Sequence, residues 1–305
     1  MDSLYIADGK LEVSAIGLGC MRITGLGTKD AVRELVDTAM DQGINFFDHA
    51  DIYADGNSER IFGNAVKGIA REKMIVQTKC GIRPGICYDF SKDHILKSVN
   101  ESLKRLDMDY VDILLLHRPD TLMEPEEIAE AFDILERQGK VRYFGVSNQN
   151  SMQIELLSHY CSQKIVINQL QLSIAHCGIM DSGLNVNMQN AAGISRDGSV
   201  LEYCRLKGIT IQAWSTLQYG FFEGAFLRNE KFLELNRRID DLAEKYHVAN
   251  NAIAIAWILR HPAGIQALIG SVKKQRIEEI CKACDVKMTR EEWYSLYMAA
   301  GKELP

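Results

Sequence analysis

The 305-residue chain is poor in the features that mark membrane, secreted and nucleic-acid-binding proteins. No run approaches about 18 uninterrupted apolar residues, so no membrane span is expected. The opening stretch, Met1-Asp2-Ser3-Leu4-Tyr5, has no basic region followed by an apolar one, which argues against a secretory signal. Positive charge is not in excess: 41 Asp and Glu against 35 Lys and Arg leave a formal net charge of −6. No nucleic-acid partner is therefore expected, although a small local anion site is compatible with this balance. The eight cysteines follow no disulfide rhythm, and reduced thiols in a cytoplasmic protein are the simplest reading. One Cys-x-x-Cys, Cys281 to Cys284, stands without a second pair or a His partner; plain helix packing is expected there, and no metal site. Also missing is the glycine fingerprint of a dinucleotide-binding Rossmann unit. Its nearest match, Gly17-Leu18-Gly19-Cys20-Met21-Arg22, has arginine where the third glycine belongs.

What is present is one pattern repeated eight times. Short runs rich in Val, Ile and Leu alternate with longer amphipathic segments. The runs are Ala15–Gly19, Ile44–Asp48, Met74–Lys79, Val111–His117, Tyr143–Asn148, Ile165–Gln169, Ile209–Trp214 and Gln266–Ser271. Their near-continuous apolar character suits strands buried on both faces. Helices are expected from Ser91 onward through Ile95, Val99, Leu103 and Leu106, over Glu126–Gln138, near Leu201–Leu206 and over Gln275–Cys284. Eight βα units imply a parallel sheet closing into a single (β/α)8 TIM barrel, read as one domain over residues 1–305. Before the first unit, Asp8-Gly9 lies between two alternating runs. That is a β-hairpin signal, and the hairpin is expected to close the barrel bottom. Two stretches, 174–199 and 217–230, read as long loops of the kind that cover binding sites.

Strand interiors read as apolar, whereas their C-terminal ends do not. Asp48, Lys79, His117, Ser147-Asn148, Asn168-Gln169, Trp214-Ser215 and Ser271 close successive strands. Any one of them is as easily a polar strand terminator as a functional group. An Asp, a Lys and a His at three successive ends of one barrel mouth are harder to hold without partners. Tyr53 follows Asp48 by five residues, close enough for a loop to turn its phenol over the mouth. An ammonium beside a phenol lowers its pKa, and a carboxylate keeps that ammonium charged and aimed. The expected result is a tyrosine able to give up a proton near neutrality. By the same reasoning the Lys79 charge lowers the thiol pKa of Cys80.

The strings Asp48-His49-Ala50-Asp51-Ile52-Tyr53, Lys79-Cys80-Gly81-Ile82, His117-Arg118-Pro119-Asp120 and Gly145-Val146-Ser147-Asn148 occur in this order. With them the chain resembles the aldo-keto reductase superfamily over essentially its whole length, most closely the YdhF-type bacterial oxidoreductases. The resemblance implies NADPH-dependent reduction of an aldehyde or ketone by a catalytic tetrad of Asp48, Tyr53, Lys79 and His117. Tyr53 would be the general acid and His117 would orient the carbonyl. It also implies a cofactor lying across the mouth. Ser147, Asn148 and Gln169 would hold the carboxamide and Trp214 would stack on the nicotinamide. Met21, Arg22, Ser215, Thr216 and Leu217 would lie along ribose and pyrophosphate, with Asp48 nearby. The segment from Gly270 through Ser271 and Lys273 to Arg276 would take the adenosine phosphate, and Glu279 the adenine amine. Relatives often carry lysine at Gly270, which loosens the preference for NADP over NAD. His49, Asp51 and Arg118 read mainly as loop hydrogen-bonding residues, and Phe221 and Phe222 as pocket or loop packing. The implied partner is a small-molecule carbonyl substrate, and a monomer is the default. The alternative is a low-turnover NADP(H)-binding redox-sensing or scaffold module. A barrel glycosidase is set aside because His117 and Trp214, not carboxylates, end strands four and seven.

Overall fold

A computed structural model describes residues 1–302 and Leu304. Eight parallel strands form a closed barrel: β1 (Ile16–Gly19), β2 (Phe46–Asp48), β3 (Ile75–Cys80), β4 (Val111–Leu116), β5 (Val141–Ser147), β6 (Ile165–Gln171), β7 (Thr210–Trp214) and β8 (Gln266–Ile269). Each pairs with its sequence neighbours, and β8 closes on β1 through Ala267 opposite Ile16. The connections carry helices that pack outside the ring, so every strand is covered on both faces. Among the described residues no helix is long and apolar enough to cross a membrane.

The strands alternate between two environments. In β2, Phe46 joins the inner cluster and Phe47 the outer, helix-facing one. In β3, Ile75 faces in while Val76 and Cys80 face out. Side chains of the inward parity therefore include Gln77 and Lys79. In β4 the inward residues are Ile113 and Leu115. The parity that places bulky apolar groups in the lower barrel thus delivers Asp48 and Lys79 to its upper end.

The expected hairpin forms from Ser3–Ile6 and Leu11–Ser14 in antiparallel register. Ala7, Asp8 and Gly9 turn the chain with positive φ. Ile6, Ala7 and Val13 pack against Phe46, Ile75 and Ile113 at the lower ends of the strands. This burial closes the floor.

Several sequence expectations are corrected. The barrel interior is not uniformly apolar: Gln77, Gln212 and Gln266 are fully buried in it. β4 ends at Leu116 and β8 at Ile269, which leaves His117, Gly270 and Ser271 just beyond the pairing ladder. The 174–199 stretch is not plain loop, for it folds into a short helix, Gly178–Leu184, and a 3-10 turn, Ala191–Gly193. The helix expected through Cys284 gives way after Cys281 to a 3-10 turn, Lys282–Asp285. Cys281 and Cys284 both lie in the core, and burial first of all pushes both thiols up. The segment 217–230 is pinned into a loop by an antiparallel bridge between Gln218 and Ala225.

One close approach anchors the loop that carries Tyr53. The helix after it, Asn57–Ala65, packs on Lys92–Leu106 through Gly63. A Cβ at Gly63 would sit 2.2 Å from the Leu106 carbonyl oxygen. Backbone cannot yield as a flexible side chain does. Gly63→Ala is expected to destabilise the fold by about 3 kcal/mol, read as a lowered denaturation midpoint with unchanged m-value.

Candidate active site

Asp48, Tyr53, Lys79 and His117 come together at the upper mouth. Lys79, 0% exposed, donates from Nζ to both carboxylate oxygens of Asp48 at 2.7 Å. It also donates to the His49 carbonyl at 2.8 Å and to the Tyr53 hydroxyl oxygen at 3.2 Å. The Tyr53 oxygen thus accepts from the ammonium and keeps its own O–H to donate elsewhere. The His117 ring stands edge-on to Tyr53 with centroids 6.0 Å apart. The loop between β2 and Tyr53 is itself tied to β3, since the His49 and Asp51 N–H groups donate to the carbonyls of Gln77 and Lys79.

Burial pulls the Lys79 pKa down, but Asp48 and the Tyr53 hydroxyl more than offset this, so the ammonium is held above its ordinary value. His117 is driven well below the usual imidazole range by burial, then by the charges of Lys79 and Arg118. It is neutral at pH 7, and its buried Nδ1 has no hydrogen-bond partner among the described residues.

Tyr53 departs from expectation. Burial pushes its phenol above the ordinary value, and Lys79 opposes that shift without reversing it. The Lys79 charge favours a phenolate, but burial, helped by the Asp48 charge, outweighs it in the resting site. The proton therefore stays on Tyr53. Cys80 is a second correction. It faces the outer layer, away from Lys79. Burial and then Asp51 and Glu59 drive its thiol up, not down.

The residues expected to hold a cofactor ring the same mouth. The Ser147 hydroxyl donates to the Gln169 carbonyl at 3.0 Å. Asn148 donates to the Ser147 hydroxyl at 2.7 Å and accepts from the Trp214 indole N–H at 3.1 Å. Gln169 Nε2 donates inward, to Asp48 at 3.1 Å and Gln212 at 3.0 Å, so its Oε1 is the atom left to face a ligand. Asn148 and Ser215 both adopt positive φ, 57° and 53°, at the tops of β5 and β7. Non-glycine residues in this region cluster at functional sites. The Thr216 hydroxyl donates to the Leu268 carbonyl at 3.4 Å. Met21 and Arg22 are exposed just past β1, and Leu217 is half-buried.

The helix Lys274–Cys281 begins at Lys273 with no side-chain cap, leaving its first N–H groups open. Ser271 accepts from the Lys273 N–H at 3.2 Å. Lys273 and Arg276 are exposed, whereas Lys274 is held by Glu34 at 2.9 Å. Nothing lies within 4 Å of a Cβ built on Gly270. Glu279 accepts from Gln275 at 2.9 Å and from Asn251 at 3.1 Å.

Arg118 and His49 play parts the sequence reading did not give them, and Phe221 and Phe222 join Arg118 beside Trp214. Arg118 is no loop hydrogen-bonder: its guanidinium lies 5.7 Å from the Trp214 ring centroid and 5.5 Å from that of Phe221. Phe221 and Phe222 fold against Trp214 with centroids 6.3 and 6.4 Å away, yet stay more than half exposed. Together they form an aromatic and cationic cover on one side of the mouth. His49 is 0% exposed, packs edge-on to Phe62 at 4.5 Å, and leaves both ring nitrogens without a partner among the described residues. Its parity, one residue past Asp48, was the available signal.

Burial, then the Lys79 charge, lowers the His49 pKa from 6.5 to about 3. The unfolded chain therefore binds one proton more than the folded one between these two values. Stability falls as pH drops from 6.5 toward 3, by at most about 1.4 kcal/mol per pH unit from this group. His49→Leu is expected to flatten that part of the stability-against-pH curve, measured by urea denaturation at stepped pH. At pH 7 the substitution is close to neutral, because no hydrogen bond is lost.

A model of the aldo/keto reductase family matches residues 15–298. A 6-dehydroglucose reductase of Novosphingobium aromaticivorans is 34% identical, covering 97% of this chain and 94% of its own. The oxidoreductase YdhF of Escherichia coli is 33% identical over 99% of both. The crystal structure of the thermostable aldo-keto reductase Tm1743 with the inhibitor epalrestat superposes with a TM-score of 0.80 at 28% identity, covering 98% of this chain and 100% of that one. A closed parallel barrel, a buried lysine–aspartate couple beneath a tyrosine, and a full-length family match converge: the chain belongs to the aldo/keto reductase family.

Proposed function

We propose that this protein reduces an aldehyde or ketone to an alcohol with NADPH, and that Tyr53 is the proton donor. The observation that carries the proposal is the fully buried Lys79 ammonium, bonded at once to Asp48 and to the Tyr53 hydroxyl oxygen. A nicotinamide dinucleotide, if held at this mouth by Asn148, Gln169 and Trp214, would supply hydride chemistry there. The protein's own residues do the rest. Lys79 donates to Tyr53 and so directs the phenol hydrogen outward, toward a substrate oxygen. As that hydrogen leaves, negative charge grows on the phenol oxygen 3.2 Å from a fixed ammonium, where it is stabilised without rearrangement. His117, neutral, offers a ring N–H to the same substrate oxygen and adds no charge. A phenol held protonated in the resting site is the correct form for an acid.

The residues at the mouth fit a nicotinamide dinucleotide. Gln169 has one amide oxygen left over, suited to a carboxamide N–H, and Trp214 is held in place through its indole N–H. The uncapped helix start with exposed Lys273 and Arg276 suits a phosphate. Two cations there favour a 2′-phosphate, and hence NADPH over NADH. Substrate identity rests on the cover of Arg118, Phe221 and Phe222. The 6-dehydroglucose reductase among the relatives makes sugar carbonyls a natural first panel, beside aromatic aldehydes and dicarbonyls.

Tyr53→Phe is expected to lower kcat by about 10²-fold or more with cofactor affinity intact, measured by NADPH oxidation at 340 nm (~ the usual nicotinamide band). Full activity in that variant would remove Tyr53 from the mechanism. Tight NADPH binding with no turnover on any carbonyl would instead favour the sensing or scaffold reading. Lys273→Ala with Arg276→Ala should weaken NADPH by about tenfold or more while NADH changes far less, read by fluorescence titration. Equal losses for both nucleotides would place the 2′-phosphate elsewhere.

A further inference from the structure

The barrel interior holds a chain of amides that runs from the floor to Asp48. Gln266 Nε2 donates to the Ser14 carbonyl at 2.7 Å. Gln212 Nε2 donates to Gln266 Oε1 at 2.8 Å. Gln212 Oε1 accepts from Gln77 Nε2 at 2.9 Å and from Gln169 Nε2 at 3.0 Å. Those two amides spend their second hydrogens on Asp48 Oδ1, at 2.6 and 3.1 Å. Gln77, Gln212 and Gln266 are each 0% exposed and Gln169 is 3% exposed.

An amide side chain can present either end, and nothing in its shape chooses between them. Here the choice is forced from both ends of the chain. The Ser14 carbonyl can only accept, so Gln266 must turn its NH2 down and its oxygen up. Gln212 must then turn its NH2 toward Gln266 and its oxygen toward Gln77 and Gln169. Their NH2 groups are left facing Asp48, which as a carboxylate can only accept. Turning any one member over would set two oxygens against each other in a buried space. The polarity has a visible cost, since Gln77 Oε1 is buried without a partner among the described residues. Ser14 is tied to Asn45 on both sides: the Ser14 N–H donates to Asn45 Oδ1 at 2.8 Å and the Ser14 hydroxyl accepts from the Asn45 N–H at 3.2 Å.

We infer that Gln212 and Gln266 are positioning residues for the Asp48–Lys79 couple, and that the hairpin at the barrel floor sets their direction through the Ser14 carbonyl. Among the described residues neither hydrogen-bonds Tyr53 or Lys79. They act by fixing Gln77 and Gln169 as donors, which holds the Asp48 carboxylate in the orientation that grips Lys79. The same constraint turns Gln169 Oε1 toward the mouth. The kinetic part of this inference rests on the proposed reductase activity; the structural part does not.

The test therefore has two arms on the full-length protein. In the first, hydrogen exchange of the Gln77 and Gln169 side-chain amides is followed by nitrogen-15 NMR in wild type, Gln266→Leu and Gln212→Leu. Exchange is expected to speed up by about tenfold or more in both variants, although Gln266 contacts neither amide. Unchanged exchange in Gln266→Leu would overturn the relay. In the second arm, Gln212→Leu should lower kcat by about tenfold with a smaller change in KM. Gln212→Glu separates positioning from packing. When protonated, its carboxyl donates to Gln266 Oε1 and accepts from Gln77 and Gln169, reproducing the wild-type polarity. When ionised, it sets an oxygen against Gln266. Burial raises a carboxyl pKa, so its kcat relative to wild type should be near one at low pH and fall by about tenfold as pH rises. A pH-independent ratio well below one, or wild-type kcat in folded Gln212→Leu, would overturn the positioning role, whereas a ratio near one throughout is the outcome of a carboxyl kept protonated with the wild-type polarity. If Gln212→Leu fails to fold, Gln266→Leu and Gln212→Glu carry the test. Absence of turnover in wild type would refute the reductase reading, and the exchange arm then decides the relay by itself.

Discussion

A lysine side chain with no solvent contact is the constraint around which the upper barrel is organised. Taking an ammonium out of water costs several kcal/mol, on the order of magnitude that a buried partner must return. Asp48 returns it with both carboxylate oxygens at 2.7 Å sharing one N–H, and the His49 carbonyl and Tyr53 oxygen accept the other two. Loss of either charge would leave the other buried and uncompensated. The couple is therefore an all-or-nothing device, and its neighbours are arranged to keep it whole. The loop carrying Tyr53 is pinned to the strand carrying Lys79, and the helix beyond that loop is seated through Gly63.

The electrostatics of the mouth follow from this couple. The ammonium favours a phenolate, but burial and the Asp48 charge outweigh it, so the proton stays on Tyr53. Burial chiefly keeps His117 neutral, and the Lys79 and Arg118 charges add to that. What results is a pair of proton-bearing groups beside a cation that stays fixed as charge shifts. Arg118, stacked with Trp214 and Phe221, adds a second cation whose position depends on the loop between β7 and the following helix. The fixed groups come from strands and the adjustable ones from loops, which is the usual division between chemistry and selectivity in barrels of this kind.

Burying four glutamines in a barrel core is costly unless every amide is directed. The direction begins at a backbone carbonyl in the hairpin. The segment that plugs the barrel thus also supplies an acceptor at the opposite end of the barrel from Asp48. Gln77 and Gln212 meet although they lie 135 positions apart in the chain.

The sequence by itself determined the alternation of strands and helices, the hairpin and the chemistry gathered at the strand ends. These are written in local periodicity and in short runs of neighbouring residues. It also carried the signal for the interior glutamines, since Gln77 and Gln212 each sit two residues before a mouth residue and so share its face; residue type alone could not distinguish a directed network from a stray polar group. Strand alternation already turns Cys80 away from Lys79, whereas tertiary structure alone decided which amide meets which and that burial outweighs the ammonium at Tyr53. The last two depend on distances between strands brought together only when the barrel closes, and both hydrogen-bond direction and desolvation are properties of that closed space.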